Sequence, residues 1–443
     1  MRCMSWLIGG LLVGCFFVSP AIAQDGGGPP RDPNEGDILF AGIPFNFLPP
    51  GARALAMGGT FIAIADDATA AEANPAGLTI LSRPEVSVHY RSSSFQVEGV
   101  DLFAAFINDN YGDFARGFQP LIDPIITFEE DVNDIAFASY VHPFDRWTLS
   151  ISYQQAVNFR GRSEINTTQP ELVDFIRTRR QVDALVEYFA LSGAAELTDW
   201  LSLGVSVRFS QADFQTLDEL RSDFPRDFEL DFGNLNFDDV LLLRSTLDGT
   251  DDDVTFNVGL LFNPNGTVSG GLVYKQGGSF VIDGMTTFVD CLPFECNESD
   301  GRFLGAFVFE EESDTAFELP DLIGGGLAWR PTDQVIVALD LNYLFYSNLD
   351  NGGGSEPIDD ELEIHLGAEY TIFLERSGGD PVPIFLRAGA WTDPDHDGFR
   401  QIDSEQTHFT LGAGIVLGGL QIDAAGHFSD LVDEFLVSLV YRF

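Results

Sequence analysis

The chain has 443 residues, and its 69 acidic and 23 basic side chains give a formal net charge of -46. Nucleic acid is excluded as a partner, because phosphate binding needs clustered lysine and arginine that this sequence lacks. An apolar fraction of 45% argues against a disordered acidic chain, and the 45 glycines and 40 phenylalanines favour an all-β protein.

The first 23 residues have the features of a secretory signal peptide. Arg2 supplies a positive charge, residues 6–18 are apolar, and Ala21-Ile22-Ala23 has the small-x-small pattern of a cleavage site. A lipoprotein signal at Cys15 is the alternative, although the residues after it stay apolar as far as position 23. We therefore expect residues 1–23 to be removed and the mature chain to leave the cytoplasm.

Residues 24–83, here called the plug segment, precede the first predicted strand. The segment opens with a flexible run, GGGPPRDPNEGD, and continues with many small residues in GARALAMGGTFIAIADDATAAEANPAGLTIL. Small residues let a backbone pack closely inside a tube, and buried polar residues need partners. The composition therefore predicts a plug. We expect polar residues of the plug segment to meet arginines that line the lumen. The plug residues are Asp66, Asp67, Glu72 and Asn74, and the arginines are Arg208, Arg387 and Arg442.

Residues 84–443 alternate apolar with small or polar side chains in segments of about ten residues, a pattern typical of an outer-membrane barrel. Clear examples are 146–157, 200–210 and 334–345. Short turns rich in Gly, Pro, Asn and Asp alternate with long connections. Seven long and six other connections predict an all-β fold, a 14-stranded antiparallel transmembrane barrel with both ends on one side of the membrane. A soluble sandwich also alternates and is the alternative.

Two cysteines, Cys291 and Cys296, remain after removal of the signal peptide. In an oxidising compartment we expect them to form a disulfide that closes a small loop. A metal site is the alternative, but no second pair of Cys or His accompanies them.

Three aspartates in a predicted external loop have the spacing of a calcium loop. Asp393, Asp395 and Asp397 stand at alternate positions and a glycine follows. Position 12 of the motif is Ser404 instead of the usual glutamate, so an acidic surface loop is the alternative reading.

The last predicted strand, residues 434–443, places apolar side chains at alternate positions and ends on Phe443. Such an ending resembles the signal by which outer-membrane barrels are handed to their assembly machinery, which is therefore an expected partner. An ordinary final strand of a soluble β domain is the alternative.

Enzymatic motifs are weak in this sequence. His396, His408 and His427 fall near predicted external loops that also contain Ser404 and Ser429, and a Ser–His pair among them is the enzymatic alternative. No Gly-rich phosphate loop, metalloprotease motif or CxxC is present. We expect neither an enzyme nor a cofactor.

The plug segment resembles the N-terminal hatch of the FadL-type family, outer-membrane channels for long-chain fatty acids and other hydrophobic compounds. The resemblance lies in Gly51-Ala52-Arg53-Ala54, Met57-Gly58-Gly59, Ala65-Asp66-Asp67-Ala68 and Asn74-Pro75-Ala76-Gly77-Leu78. The later segments LPDLIGGGLAWRPTDQVIVALDLNYLFYS, LRAGAW and THFTLGAGIVLGGLQIDAA also resemble that family. The same hatch motif resembles PorV-type barrels, which serve a secretion system as adaptors, so an adaptor without small-molecule transport is the alternative function.

The FadL resemblance implies a monomer in the bacterial outer membrane, surrounded by lipid, with the hatch inside the lumen. A hydrophobic ligand would land in a groove among external loops, enter an internal pocket and leave through a gap in the wall after the hatch shifts. The third strand, residues 146–157, contains no Gly or Pro to mark a kink, so a gap there is implied by the resemblance alone. The hatch residues carried over are Gly58, Gly59, Asp66, Asp67, Asn74, Pro75 and Ala76.

The third and fourth long connections, 211–252 and 277–318, are rich in aromatic residues that provide a landing surface for such a ligand. Packing of the loops against each other explains them equally well. Spacings of three and four in the third connection predict an apolar stripe on a short helix. The same connection carries 12 acidic residues, a field that would repel a fatty carboxylate, so we expect neutral molecules to suit the channel at least as well. The candidate ligand-binding residues are Phe214, Leu217, Leu220, Phe224, Phe228, Phe280, Phe288 and Phe307.

Overall fold

The structure is a computed structural model, and in its described residues two short helices and a 3-10 turn precede a large antiparallel sheet. The helices are α1 (Ala52–Ala56) and α2 (Ala70–Ala73), and the turn covers Pro75–Ile80. None of the helices in the described ranges has the length and apolar character needed to cross a membrane. The structure describes residues 48–100, 125–166, 176–223, 238–263, 266–290, 297–299, 302–304, 307–349, 360–377, 380–394, 406–430 and 432–443.

The strands differ in length along the chain. The first six are β1 (Glu85–Val100), β2 (Ile125–Pro143), β3 (Trp147–Asn166), β4 (Ile176–Thr198), β5 (Leu201–Asp223) and β6 (Asp238–Phe262). The next seven are β7 (Val268–Lys275), β8 (Ser279–Asp290), β9 (Asn297–Ser299), β10 (Arg302–Leu304), β11 (Phe307–Glu318), β12 (Leu322–Thr332) and β13 (Val335–Leu344), followed by a 3-10 turn at Tyr346–Leu349. The last five are β14 (Glu361–Leu374), β15 (Val382–Asp393), β16 (Gln406–Leu417), β17 (Leu420–Phe428) and β18 (Val432–Arg442).

The strands close into a barrel. Neighbouring strands pair from β6 back to β1, β1 pairs with β18, and the order continues down to β12 and β7. A pairing of β7 with β6 completes the ring. The described sheet has 16 strands, but β8 and β11 lie beyond the ends of β7 and β12, so 14 strands form the ring. The predicted antiparallel 14-stranded barrel is therefore confirmed.

Alternation within each strand separates the two faces of the wall. In β14, His365 is fully buried, whereas its neighbours Ile364 and Leu366 are 42% and 53% exposed. Successive residues of a strand point to opposite faces, so one row faces the lumen and the other forms an apolar exterior. Trp147 and Trp200, next to the short turns, place aromatic rings at one edge of this exterior. The exterior is the surface that contact with lipid requires.

Strands extend much further into the predicted long connections than expected. The connections 158–183 and 211–252 are largely the continuations of β3, β4, β5 and β6. The predicted helical stripe at Phe214 and Leu217 is wrong, because both belong to β5, whose backbone pairs with strands on both sides. Residues three apart in a strand face opposite sides, and Phe214 is buried while Leu217 is only half-buried.

Candidate ligand pocket and lumenal plug

The described part of the plug segment lies inside the ring of strands. Helix α1 packs against β15, β16, β17 and β18, while the turn at 75–80 packs against β2 to β6 on the other side. The alanines of both helices are almost fully buried. Small side chains are needed here because the backbone of the segment runs directly against the wall.

Glycines of the wall make this close contact possible. A Cβ atom on Gly271 would lie 2.9 Å from both the carbonyl carbon of Ile62 and Nδ2 of Asn74, closer than real Cβ contacts. Similar collisions with the plug segment would occur at several other lumenal glycines. Directly opposed pairs of such glycines are Gly204 with Gly259, Gly271 with Gly326, and Gly367 with Gly389.

Two wall side chains hold the backbone of the plug segment in a fixed register. Oδ2 of Asp340 accepts the amide hydrogens of Phe61 at 2.7 Å and Ile62 at 2.9 Å. Nδ1 of His365 lies 2.8 Å from the carbonyl oxygen of Gly58, so it donates to that oxygen. Gly58 and its neighbour Gly59 have φ angles of 64° and 79°, which glycine adopts without strain.

Asn74 ties the end of the segment to itself and to the wall. Its Nδ2 donates to the carbonyl oxygens of Ile62 at 2.9 Å and Leu260 at 3.0 Å, and its Oδ1 accepts from the amide of Ala76 at 3.2 Å. Pro75 follows as the first residue of the 3-10 turn, where its missing N–H has no partner to lose. The structure thus gives these predicted hatch residues anchoring contacts.

The buried charges form a network around Arg53. Its guanidinium pairs with Asp66 of the plug segment and, at 3.0 Å, with Glu369 of β14. Glu369 is shared with Arg387 at 2.7 Å, and Arg387 also pairs with Asp423 at 2.6 Å. Burial disfavours the Arg53 cation, but the nearby carboxylates more than offset this effect and raise the pKa of Arg53 above its usual value.

The predicted meeting of plug acids with lumenal arginines is found for one pair. Arg208 approaches Glu72 at 3.4 Å. Arg387 pairs with wall carboxylates, and Arg442 pairs with Glu85 at the start of β1. Asp67 accepts instead from the amide of Thr69 at 2.9 Å within the segment.

A small cavity of about 60 Å³, partly open to solvent, is lined at one end by Glu72. Its lining is apolar at Val157, Val186, Phe280, Leu319 and Leu322, and polar at the Glu72 end. Strands β3 to β8 supply most of the lining, together with Leu48 at the start of the described chain. The cavity therefore offers apolar contacts on one side and hydrogen-bonding groups on the other.

The polar end of the cavity holds two cations and one carboxylate. Glu72 accepts from Nδ2 of Asn257 at 3.2 Å and faces Nζ of Lys275 at 3.6 Å as well as Arg208. Nε of Arg208 donates to the hydroxyl of Thr255 at 3.0 Å, so this guanidinium is well occupied. Lys275, the single lysine of the sequence, has three donors, and its Nζ lies 3.6 Å from Oε1 of Glu72, just beyond hydrogen-bond distance.

A buried apolar cluster borders the cavity. Phe214 and Phe280 have no exposed surface, and they pack with Phe159, Val182 and Val186. Two of the candidate ligand-binding aromatics therefore lie in one cluster, and Phe280 also lines the cavity. Their contact with a ligand stays a prediction.

The other candidates are scattered or fall outside the description. Leu220, Phe288 and Phe307 lie in β5, β8 and β11, while Phe224 and Phe228 are outside the described residues. Cys291 and Cys296 are also outside, as are Asp395 and Asp397, and Asp393 is the last residue of β15. Within the described ranges, no three His, Cys, Asp or Glu side chains are grouped to hold a metal ion.

The wall separates between β2 and β3. The pairing of the two strands begins at Pro143 with Thr148 and ends at Phe137 with Gln154. No further pairs follow among the described residues. Above this point β2 stays with β1 and β3 stays with β4. Each strand carries one extra residue at the split, and the extra residue of β3, Ala156, lines the cavity.

Sequence reasoning missed several residues of this site. The β3 bulge has no Gly or Pro to announce it, and Tyr188 looks like any inward residue of an alternating strand. Lys275 carried a usable signal, because it is the single lysine of the sequence and stands at the end of an apolar strand.

Comparisons with known proteins agree with this architecture. The model of a family described as "Outer membrane protein transport protein (OMPP1/FadL/TodX)" matches residues 48–352. A FadL homologue of Pseudomonas aeruginosa is 13% identical with a TM-score of 0.61, and the match covers 92% of this chain and 99% of that chain. The toluene transporter TodX of Pseudomonas putida is 13% identical with a TM-score of 0.58, over 90% and 99% of the two chains.

The monoaromatic hydrocarbon channel CymD is 15% identical with a TM-score of 0.55, over 90% of this chain and 99% of that chain. None of the curated proteins compared with the chain matches it. At identities this low, the likeness to solved structures shows the fold.

Proposed function

Because the chain belongs to the outer membrane protein transport family (OMPP1/FadL/TodX), we propose that it is a channel for the passive uptake of hydrophobic small molecules. The family consists of outer-membrane transport proteins and not of enzymes, and the protein resides in the bacterial outer membrane. The family membership sets the location and the broad role, and the lumen of this chain supports the finer assignment.

The observation that carries the proposal is the position of the cavity. The cavity lies between the plug segment and the cluster of Phe214 and Phe280. It extends to Ala156, where β2 and β3 separate. A molecule in this cavity has an apolar surrounding and lies beside the split in the wall. This arrangement supports a route from the external loops into the cavity and then sideways into lipid.

The chemistry of the cavity supports a ligand with a hydrogen-bond acceptor at one end. Lys275 and Arg208 together outnumber the single carboxylate of Glu72, so the polar end carries a net positive charge. A long-chain fatty acid or a neutral molecule such as a long-chain alcohol satisfies this requirement. A plain hydrocarbon would fill the apolar part alone, because it offers no acceptor to Lys275.

An adaptor for secreted proteins has no need of a cavity beside its plug or of a split in its wall. Both features are present, and they support transport over the adaptor role.

Binding of a matched series tests the proposal, with the purified protein in detergent and with hexadecanoic acid, hexadecanol and hexadecane as ligands. Lys275→Met should weaken binding of the acid and the alcohol by about tenfold, since one hydrogen bond to a charged donor is lost. Lys275→Arg, the matched control, should retain binding. If none of the three compounds binds, the channel proposal fails. If both variants bind all three compounds equally, the polar end of the cavity does not recognise a hydrogen-bond acceptor.

A further inference from the structure

The edges of β2 and β3 above their last pair face each other without a ladder of hydrogen bonds in the described part of the chain. β3 continues for 12 residues beyond Gln154, and β2 begins 12 residues before Phe137. Unpaired strand edges in a wall are unfavourable unless other groups satisfy or bridge them. The contacts across this split therefore decide how wide it stands.

A hydrogen bond between two side chains bridges the split. Nδ2 of Asn158 on β3 donates to Oδ2 of Asp134 on β2 at 2.7 Å. Asn158 lies two residues beyond Ala156, the extra residue that lines the cavity. A molecule that leaves the cavity at Ala156 meets this bond next.

Each partner is also held on its own side of the split. Asp134 pairs with Arg91 of β1 at 3.2 Å. Nδ2 of Asn158 also lies 3.4 Å from Oε1 of Gln155, whose Nε2 donates to Glu187 of β4 at 3.2 Å. When the bridge breaks, Asp134 therefore keeps a counter-ion and Asn158 keeps a hydrogen-bond partner. The bridge can therefore open without the cost of leaving either group unpaired.

We propose that the Asn158–Asp134 hydrogen bond is a latch that holds the separated edges of β2 and β3 together and limits the rate at which a bound molecule leaves the cavity for the membrane. The inference rests on the proposed function. It assigns to Asn158 and Asp134 a gating role, distinct from ligand binding at Lys275.

Reversible cross-linking tests the latch. In a background with Cys291→Ser and Cys296→Ser, a short reducible thiol-specific linker joins the two cysteines of the Asp134→Cys, Asn158→Cys variant. Transfer of a bound fluorescent fatty acid from the protein into lipid vesicles is then followed in time. The linked protein should release the probe at least about tenfold more slowly, with unchanged equilibrium binding, and cleavage of the linker should restore the rate.

The matched control joins the same two strands below the split, at Tyr140 and Ile151, which are directly opposed and exposed. This linked control should release the probe at the normal rate. Asn158→Ala, which removes the bridge without cysteines, should release it faster. Migration of each unheated sample as a folded barrel on a denaturing gel confirms that the variants are intact.

Equal release rates for the linked latch variant and the linked control overturn the latch. Such a result leaves the proposed function standing if Lys275→Met still weakens binding. Normal binding of the probe by Lys275→Met rejects the polar end of the cavity, whereas failure of the unlinked protein to bind any probe rejects the proposed function and the latch with it.

Discussion

Replacement of Gly271 with alanine should loosen the plug segment, whereas the same replacement at the adjacent Gly270 should not. Gly271 faces the lumen, where a Cβ atom would lie 2.9 Å from the carbonyl carbon of Ile62 and even nearer to its oxygen. Gly270 faces outward, and its nearest neighbour would be a side-chain carbon of Leu327 at 3.5 Å, an ordinary contact. The two variants thus differ only in which face of β7 receives one methyl group.

The size of the effect follows from these distances. Comfortable carbon contacts need about 3.5–4.0 Å, so the backbone at Ile62 has to move by roughly 1 Å. Overpacking of this kind costs about 1–3 kcal/mol. The movement also strains the bonds of Ile62 to Asn74 and to Asp340, each worth about 1 kcal/mol or more. We expect a total near 2–4 kcal/mol for Gly271→Ala, against less than about 1 kcal/mol, in the stabilising direction, for Gly270→Ala.

Hydrogen exchange measures this difference at the residues concerned. The amides of Phe61 and Ile62 should exchange roughly 30-fold faster or more in Gly271→Ala, since about 1.4 kcal/mol corresponds to a factor of ten. Amides of β7 itself should change little in either variant. Equal exchange rates at Ile62 in the two variants would refute the close packing of the plug segment against the wall.

Three further substitutions probe the site. Asp340→Ala removes the acceptor of two amide hydrogens and should lower the free energy of unfolding by about 3 kcal/mol, measured by urea titration in detergent, while Asp340→Asn should lower it less. Glu369→Gln leaves Arg53 and Arg387 without their shared carboxylate, and a loss of about 3–5 kcal/mol should appear as a lower thermal midpoint. Phe280→Ala should lower stability by about 3–5 kcal/mol and speed the uptake of bulky probes into vesicles, whereas unchanged uptake would contradict a role for Phe280 at the cavity.

The strands and short turns could be predicted because their signals are local. The turn at Thr198-Asp199 joins β4 to β5 close to where it was expected, since turn residues and a period of two depend only on neighbouring positions. The lengths of the strands could not be predicted in the same way. β5 runs on to Asp223 because β4 and β6 pair with it there, and that pairing depends on residues far away in the sequence.

The cavity was beyond sequence reasoning for a similar reason. More than a hundred positions separate Glu72 from Arg208, and more than sixty separate Arg208 from Lys275. Only the closure of the ring through β6 and β7 brings the three residues together. The bulge at Ala156 is a difference of one residue between two pairing registers, which leaves no mark in composition. The prediction of an inward arginine at position 208 succeeded because alternation alone fixes which face it occupies.

The distribution of contacts around the lumen bears on which part moves during release. The opposed glycine pairs that touch the plug segment lie on β5 to β7, β12, β14 and β15, whereas the split lies between β2 and β3. These closest backbone contacts of the plug segment thus lie away from the opening, although its turn at 75–80 also packs against β2 and β3. Movement of the strand edges disturbs fewer of these contacts than a shift of the plug segment, so release by wall opening requires less reorganisation. Gly271→Ala should then raise hydrogen exchange in the plug segment and leave the release rate unchanged. Asn158→Ala should speed release and leave hydrogen exchange in the plug segment unchanged.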